Sequence, residues 1–522
     1  MKIAKSTYLF IFTLVLAGWY LFIGIYLNKL GYYNQESLFY IEKTKIVFEG
    51  LGNRLKVMGL TAPLLPFYST FIFSTINSYW APVIASALGT AGFFYLISRS
   101  FLIRVKDDFY LIMVAVLFVL HPGIIYMACS GKAIYLVVTF VYLFFLNLLK
   151  FYRSNTTFHV SIASMCLVTL IFCDYRFIWL TLFFIPLVLS ITLASLNLGE
   201  KESIFRLFMS FNSPSLRRKL INKTFAIYVI LFILPVVSLI CYKLLNQTHA
   251  SDYNYFMESP LATWNVLVDK LNYDTTVTAV NYQLPELSIL VSLRVIYFCP
   301  LILFGLYLLR ESTYHVLTVL TLFAFVEFLH IKYDKLFLTY QYYLIFLFVA
   351  LLCIIFKVHT IKNKLAVKLG LACVIVLQLY TGYTFLTHSL ITDERRFITT
   401  LNRLEPNTDQ SESREMATYI NSLPDNTHIL MDDAISYPIV AFTNNVKKLT
   451  LPYQLDTFLS AIETPYKYDD YILIATPKNP FTGYTQLNDK YIPEIRRLNS
   501  GVNYKRAYET DGWILYKVVT LQ

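Results

Sequence analysis

The chain has 522 residues, of which 57% are apolar and only 15% charged, against about 25% charged in a typical soluble domain. That balance excludes a soluble globular protein and a disordered one, and 17 glycines with 18 prolines are too few for a fibrous or low-complexity chain. The composition is that of a polytopic membrane protein.

The net charge of +11 is unevenly spread. Residues 1–392 carry 30 Lys+Arg and 16 Asp+Glu, whereas the stretch from Asp393 onward carries 14 and 17. A basic membrane part with a mildly acidic tail argues against nucleic-acid binding and fits basic loops at an anionic lipid surface. All seven cysteines lie in or beside apolar segments, so no disulfide framework is expected.

In chain order, MKIAKS precedes an apolar run to Leu27 that lacks a small-residue cleavage site and reads as an uncleaved first span. Further apolar segments lie near 80–100, 109–127, 133–149, 157–173, 177–197, 224–245, 287–309, 313–331, 336–356 and 366–387. Each approaches the roughly 20 residues that a bilayer requires, which makes about eleven spans. The stretch 61–77 carries two prolines and reads as a juxtamembrane or half-inserted helix. With eleven spans and a cytoplasmic N-terminus, 18 basic residues fall in the cytoplasmic segments and 11 in the opposite loops, as the positive-inside rule asks. The tail then lies outside the cytoplasm.

Two outer loops are long, 28–79 and 246–286. The first holds a helical pattern at Glu36–Glu49, with Leu38, Ile41, Lys45 and Phe48 near one face, which reads as an amphipathic helix lying in the interface. Residues 392–522 read as a small α/β domain: a helix over Glu412–Leu423, short strands in THILMDD, KKLTLP and YDDYILIA, a helix over 487–498, and closing strands at 503–508 and 513–519. The expected organisation is thus a mainly α, polytopic transmembrane bundle (1–391) with a C-terminal extracytoplasmic α/β domain (392–522).

The loop 28–79 gathers carboxylates and bases at the membrane surface. Glu36 sits where a helix begins. It reads either as an acid favoured by the helix dipole or as a general base that deprotonates an acceptor hydroxyl. Glu42 and Glu49 read as solvated face residues. Arg54 reads as a phosphate ligand or as a basic residue reaching to the headgroups, and Lys132, Lys332 and Lys335 stand in other outer loops. Ionisable residues within spans are costly and therefore functional candidates. Glu327 and Arg294 read either as an ion pair across helices or as cavity-lining substrate contacts, while Asp174 and Arg176 either pair locally or line an outward-facing cavity. Asp432–Asp433 reads as a capping turn. There is no HExxH, paired CxxC or membrane-facing DxD, so the need for a divalent cation stays open. Without a Walker loop or GxGxxG no nucleotide is expected, and an outward-facing enzyme then needs a donor already across the membrane.

The order of these features resembles the GT-C superfamily of membrane glycosyltransferases, such as protein O-mannosyltransferases and aminoarabinose transferases. The resemblance rests on NQESLFYIEKTKIVFEG followed by APLLPFY, on SALGTAGFFYLISRSF, and on LHPGIIYMACSGKAIYL, over roughly residues 7–200. The tail stretch INSLPDNTHILMDDAISYPIVAFTN resembles extracytoplasmic domains of some bacterial members. The family's acidic pair is here Gln35–Glu36, which leaves Glu36 as the base, and Gln341 stands where members carry an Arg, a place Lys332 or Lys335 would fill. The resemblance implies a polyprenyl-phosphate sugar donor, a lipid, glycan or protein acceptor, inverting transfer to a hydroxyl, and a bacterial cytoplasmic membrane. Alternatives are a polysaccharide polymerase or ligase using a diphosphate-linked donor, an inactive relative acting as a scaffold, and a transporter or flippase.

Overall fold

The structure is a computed structural model. It describes residues 5–60, 63–154, 156–184, 188, 192, 214–258, 284–310, 313–333, 339–358, 364–389, 391–479, 485–496 and 502–520.

The apolar runs fold as helices: α1 (Lys5–Lys29), α4 (Ala81–Arg104), α5 (Asp108–Leu120), α6 (Pro122–Cys129), α7 (Ile134–Ser154), α8 (Thr157–Cys173), α9 (Pro214–Ala250), α10 (Leu284–Phe298), α11 (Leu301–Leu309), α12 (Thr313–Tyr333), α13 (Tyr340–Lys357) and α14 (Lys364–Thr387). Between α1 and α4 lie α2 (Gln35–Glu49) and α3 (Leu64–Ser74). Among the described residues seven helices are long and apolar enough to cross a membrane, or nine when each bent pair is one span. The expected segment at 157–173 is the 17-residue α8, and most of 177–197 and of the loop 246–286 lies outside the described residues. With 11 residues, α3 rises only about 16 Å, too short to cross a core of about 30 Å. The bundle is organised around α13, which is buried at every residue from Tyr342 to Phe356.

Two spans are broken at prolines. α5 and α6 meet at 62°, and α10 and α11 at 96°. The breaks fall at His121–Pro122 and Cys299–Pro300, where proline withholds an N–H and disfavours helix in the residue before it. Backbone groups freed inside a bilayer must find partners. Gln378 of α14 supplies them: its amide donates to the Phe298 carbonyl at 2.9 Å, accepts from Leu301 N at 3.4 Å and lies 3.3 Å from His121 Nε2.

The tail opens with α15 (Thr392–Arg403) and α16 (Ser411–Ser422). It continues through β1 (Ile429–Leu430), α17 (Asp433–Phe442), β2 (Leu449–Thr450), α18 (Leu455–Glu463), β3 (Tyr471–Ala475), α19 (Gln486–Arg496), β4 (Val502–Glu509) and β5 (Trp513–Thr520). The strands form one sheet in the order β2-β1-β3-β5-β4. β1 pairs parallel with both β2 and β3, and β5 runs antiparallel to β3 and β4. Alternation along β3 gives the sheet two apolar faces. Ile472 and Ile474 pack with Phe458 of α18 and Leu487 and Tyr491 of α19. Leu473 and Ala475 face Met416 and Ile420 of α16 and Ile439 and Val440 of α17.

That second core also contains α2, through Leu38, Phe39, Tyr40, Ile41, Ile46 and Val47. The expectation of an interfacial amphipathic helix is therefore corrected: Ser37 through Val47 are all buried, packed against the tail. Burial of each such apolar side chain stabilises by roughly 1.5–3 kcal/mol, which offsets the cost of what α2 takes inside with it. Lys43 is buried and its ammonium lies 3.0 Å from Asp433 and 3.2 Å from Glu42, both fully buried. Glu42 is thus part of an ion cluster and not a solvated residue, whereas Glu49 is exposed as expected. Burial, with Asp433 as a second negative neighbour, holds the Glu42 carboxyl well above its usual range despite Lys43. Burial alone would depress Lys43, but Asp433 and Glu42 outweigh it and raise it. Asp432 does cap a helix, accepting from Ala434 N at 3.1 Å, while Asp433 turns inward to Lys43.

Removing Lys43 leaves two buried carboxyls without a counter-charge. Lys43→Met is expected to cost about 3–5 kcal/mol, read as a fall in Tm and faster proteolysis of the tail in detergent. Replacing all three members by apolar residues (E42L/K43M/D433L) is expected to recover most of the loss. A single variant as stable as the parent would show that the cluster does not hold α2.

Candidate functional site

The site forms around the first turn of α2. Asn34 caps that helix, its side chain accepting Glu36 N at 3.0 Å, and its amide donates to Tyr126 OH at 3.2 Å. Glu36 stands in the first turn, where the helix dipole favours a carboxylate. One turn on, Tyr40 OH donates to Glu36 Oε1 at 3.0 Å. The other oxygen faces Lys132 Nζ at 3.9 Å. Both side chains keep some exposure, 14% for Glu36 and 16% for Lys132, so a ligand can reach them.

Lys132 is placed by the turn between α6 and α7. Gly131 has φ +75°, and a Cβ there would collide with Ser37 Oγ. Ser37 Oγ in turn donates to the Ser130 carbonyl at 3.1 Å. Glycine is required because the turn lies directly on α2.

Two acids that sequence reasoning passed over complete this side. Asp393 Oδ2 accepts the backbone N–H of Gln35, the first residue of α2, at 3.1 Å. Glu394 is fully buried, accepting from Tyr340 N at 2.7 Å and from Ser389 Oγ at 2.7 Å. Burial raises Asp393 to about 6, although the Gln35 N–H, Arg396 and Lys132 oppose the shift. Burial raises Glu394 to about 7 against Lys132 and its hydrogen bonds. The signal available was the Asp-Glu dipeptide directly after the last span. Gln35 also accepts from Tyr437 OH at 2.5 Å, so it is a joint between α2 and the tail.

On the other side Asp174 and Arg176 are buried and pair locally: Arg176 Nε and Nη2 reach Asp174 at 2.7 and 2.5 Å. Tyr342 OH donates to Asp174 at 3.4 Å. The first turn of α13 therefore touches both Glu394, through Tyr340 N, and the Asp174–Arg176 pair. Lys332 is exposed and lies 3.5 Å from the centre of the Trp179 ring, a cation–π contact.

The remaining candidates stand apart. Arg54 donates to the Val47 carbonyl at 2.9 Å and ties down the end of α2. Arg294 and Glu327 do not pair; Glu327 accepts from Ser292 N at 3.0 Å and Ser292 Oγ at 2.5 Å instead. The reason is proximity, since Ser292 offers two uncharged donors to one carboxylate oxygen. Lys335 lies outside the described residues. Among the described residues no three His, Cys, Asp or Glu side chains gather as a metal ion would need.

The raised acids give a pH dependence. Their folded values lie above the ordinary carboxylate values, so the folded state holds more protons between about pH 4 and 7. The stability they contribute is full below the ordinary values and is lost as pH rises through about 6 to 7. Tm measured from pH 4 to 8 is expected to fall over that window, and less so in D393N/E394Q. An equal slope in that variant would remove the pair as the cause.

No protein-family model and no curated protein sequence matches the chain. Among solved structures it is similar to ArnT from Cupriavidus metallidurans, in a crystal structure bound to undecaprenyl phosphate. The TM-score is 0.51 at 10% sequence identity, over 98% of each chain. A likeness that spans both chains end to end at so low an identity speaks for architecture. The chain therefore has the fold of ArnT.

Proposed function

We propose that the chain is a membrane glycosyltransferase that moves a sugar from a polyprenyl-phosphate donor to an acceptor hydroxyl on the extracytoplasmic side. The observation that carries this reading is the accessible Glu36 opposite Lys132, on a fold that in ArnT is seen with undecaprenyl phosphate. Residues 1–391 form the membrane part and 392–522 the extracytoplasmic domain, with a cytoplasmic N-terminus, in a bacterial cytoplasmic membrane.

In this mechanism the Glu36 carboxylate takes the proton of the acceptor hydroxyl. The acceptor oxygen bonds to the anomeric carbon from the face opposite the phosphate, the bond from that carbon to the phosphate oxygen breaks, and the configuration inverts. The bonding electrons leave with the polyprenyl phosphate. Lys132 stabilises that charge by charge-assisted hydrogen bonding, with Lys332 and Lys335 as further cations at the outer face. Arg54, turned to the Val47 carbonyl, serves α2 rather than the phosphate. Tyr40 fixes the Glu36 carboxylate, and the Asp174–Arg176 pair borders the same region through α13.

The test is transfer from a panel of radiolabelled polyprenyl-phosphate sugars by the purified chain. Glu36→Gln is expected to lose about 10²–10⁴-fold in rate, and Lys132→Ala about 10²–10³-fold, with Tm preserved. A well-folded Glu36→Gln that transfers at the parental rate would remove Glu36 as the base. Turnover with diphosphate-linked donors alone would replace the reading with that of a polymerase or ligase.

A further inference from the structure

A cleft of about 320 Å³ opens in the tail where it meets α2, within the size range of small-molecule sites. One wall is Gln35, the neighbour of Glu36, and Tyr437, which donates to it. The other wall comes from the start of α16 and the turn between β4 and β5, with Gln410, Glu412, Ser413 and Trp513.

Three of these side chains carry polar groups without a partner. Gln410 is 5% exposed, Trp513 7% and Ser413 9%, and none of their amide, indole N–H or hydroxyl groups has a hydrogen-bond partner among the described residues. Each of these side chains is nine-tenths buried, yet its polar group opens on solvent in the cleft and is not sealed from it, so water satisfies it in the free protein and a ligand's hydroxyls can replace that water. All three line the same cleft, where a ligand can satisfy them. Glu412 adds a carboxylate with no cationic partner among the described residues. Gly512 leaves it room to lie against the turn, since a Cβ there would come within 2.5 Å of Glu412 Oε2 and turn the carboxylate aside.

The donors and acceptors alternate: amide, hydroxyl, indole N–H and carboxylate. Tyr437 and Trp513 supply an apolar wall among them. That combination fits a polyol with C–H faces, because hydroxyls donate and accept at once. The charge excludes an anionic guest. Lys478 is matched by Asp511 at 3.1 Å and Asp409 by Arg396 at 2.7 Å, which leaves Glu412 as the uncompensated charge.

We propose that this cleft binds an uncharged sugar unit of the acceptor and delivers its hydroxyl toward Glu36. The acceptor role rests on the transferase reading; the binding of the sugar does not. The acceptor is on this account a glycan, and the tail selects it by hydroxyl pattern rather than by phosphate or carboxylate.

The test uses the full chain in detergent and saturation-transfer NMR with methyl glycosides of neutral hexoses and N-acetylhexosamines, beside glucuronate and glucose 6-phosphate. Neutral glycosides are expected to bind, the anionic sugars not to, and Gln410→Ala and Glu412→Gln each to weaken binding roughly tenfold, the worth of one buried hydrogen bond. Release of polyprenyl phosphate from donor without acceptor, which does not pass through the cleft, is expected to be unchanged in both variants. Absence of binding by neutral glycosides, equal binding by anionic ones, or unaltered binding in both variants would overturn the proposal. Cleft variants that bind glycosides normally while Glu36→Gln abolishes transfer would sink the cleft and leave the transferase. Glycoside binding lost in the variants, with no donor turned over by the parent chain, would sink the acceptor role.

Discussion

The join between α2 and the tail depends on one buried cation. Lys43 sits inside the protein between Asp433 and Glu42, 390 residues from one and next to the other. Ions of this kind are not a source of net stability, because desolvation consumes most of the Coulomb energy. What they supply is a penalty for every arrangement that separates them. α2 can leave the tail only by exposing six apolar side chains and stranding an ammonium and a carboxylate. The N-terminal end of the helix is secured as strictly, by Asp393 on the Gln35 N–H and by Tyr437 on the Gln35 side chain. Glu36 therefore stands on a helix clamped at both ends, and its carboxylate is aimed by the backbone rather than by a loop.

The second constraint comes from the bilayer. A span that breaks must return its freed backbone groups to a partner. Gln378 does this at the α10–α11 break and lies against His121 at the α5–α6 break. The bend at Pro122 turns α6 so that the Ser130–Gly131–Lys132 turn meets the first turn of α2. The proline that interrupts the span and the glycine that permits contact thus act together to set Lys132 against Glu36.

How much of this was legible in the sequence follows from the range of each interaction. The membrane class, the apolar helices and the strands of the tail were legible, because composition and periodicity are local. The role of α2 was not. Glu42, Lys43 and Lys45 make its pattern look amphipathic, and only the approach of Asp433, of Tyr79 and of the Ala441 and Thr443 carbonyls turns those charges inward. α17 was missed because Pro438 sits inside it, where a sequence argument expects an interruption. The meeting of Glu36 with Lys132 joins two residues that were named separately. Asp393 and Glu394 were overlooked because acids after a last span ordinarily face water. The ion-pair reading of Glu327 and Arg294 failed because a nearer donor, Ser292, was available.

On the proposed function, the clamped end of α2 and the Lys132 turn frame the place where a lipid phosphate is held and its sugar transferred. The most direct measurement is a cryo-electron-microscopy structure of the purified chain with undecaprenyl phosphate. The phosphate is expected within hydrogen-bond reach of Lys132, beside the Glu36 carboxylate, with the lipid tail running between the spans. A phosphate bound away from both residues, with Glu36 still turned to Tyr40 and Lys132, would contradict it.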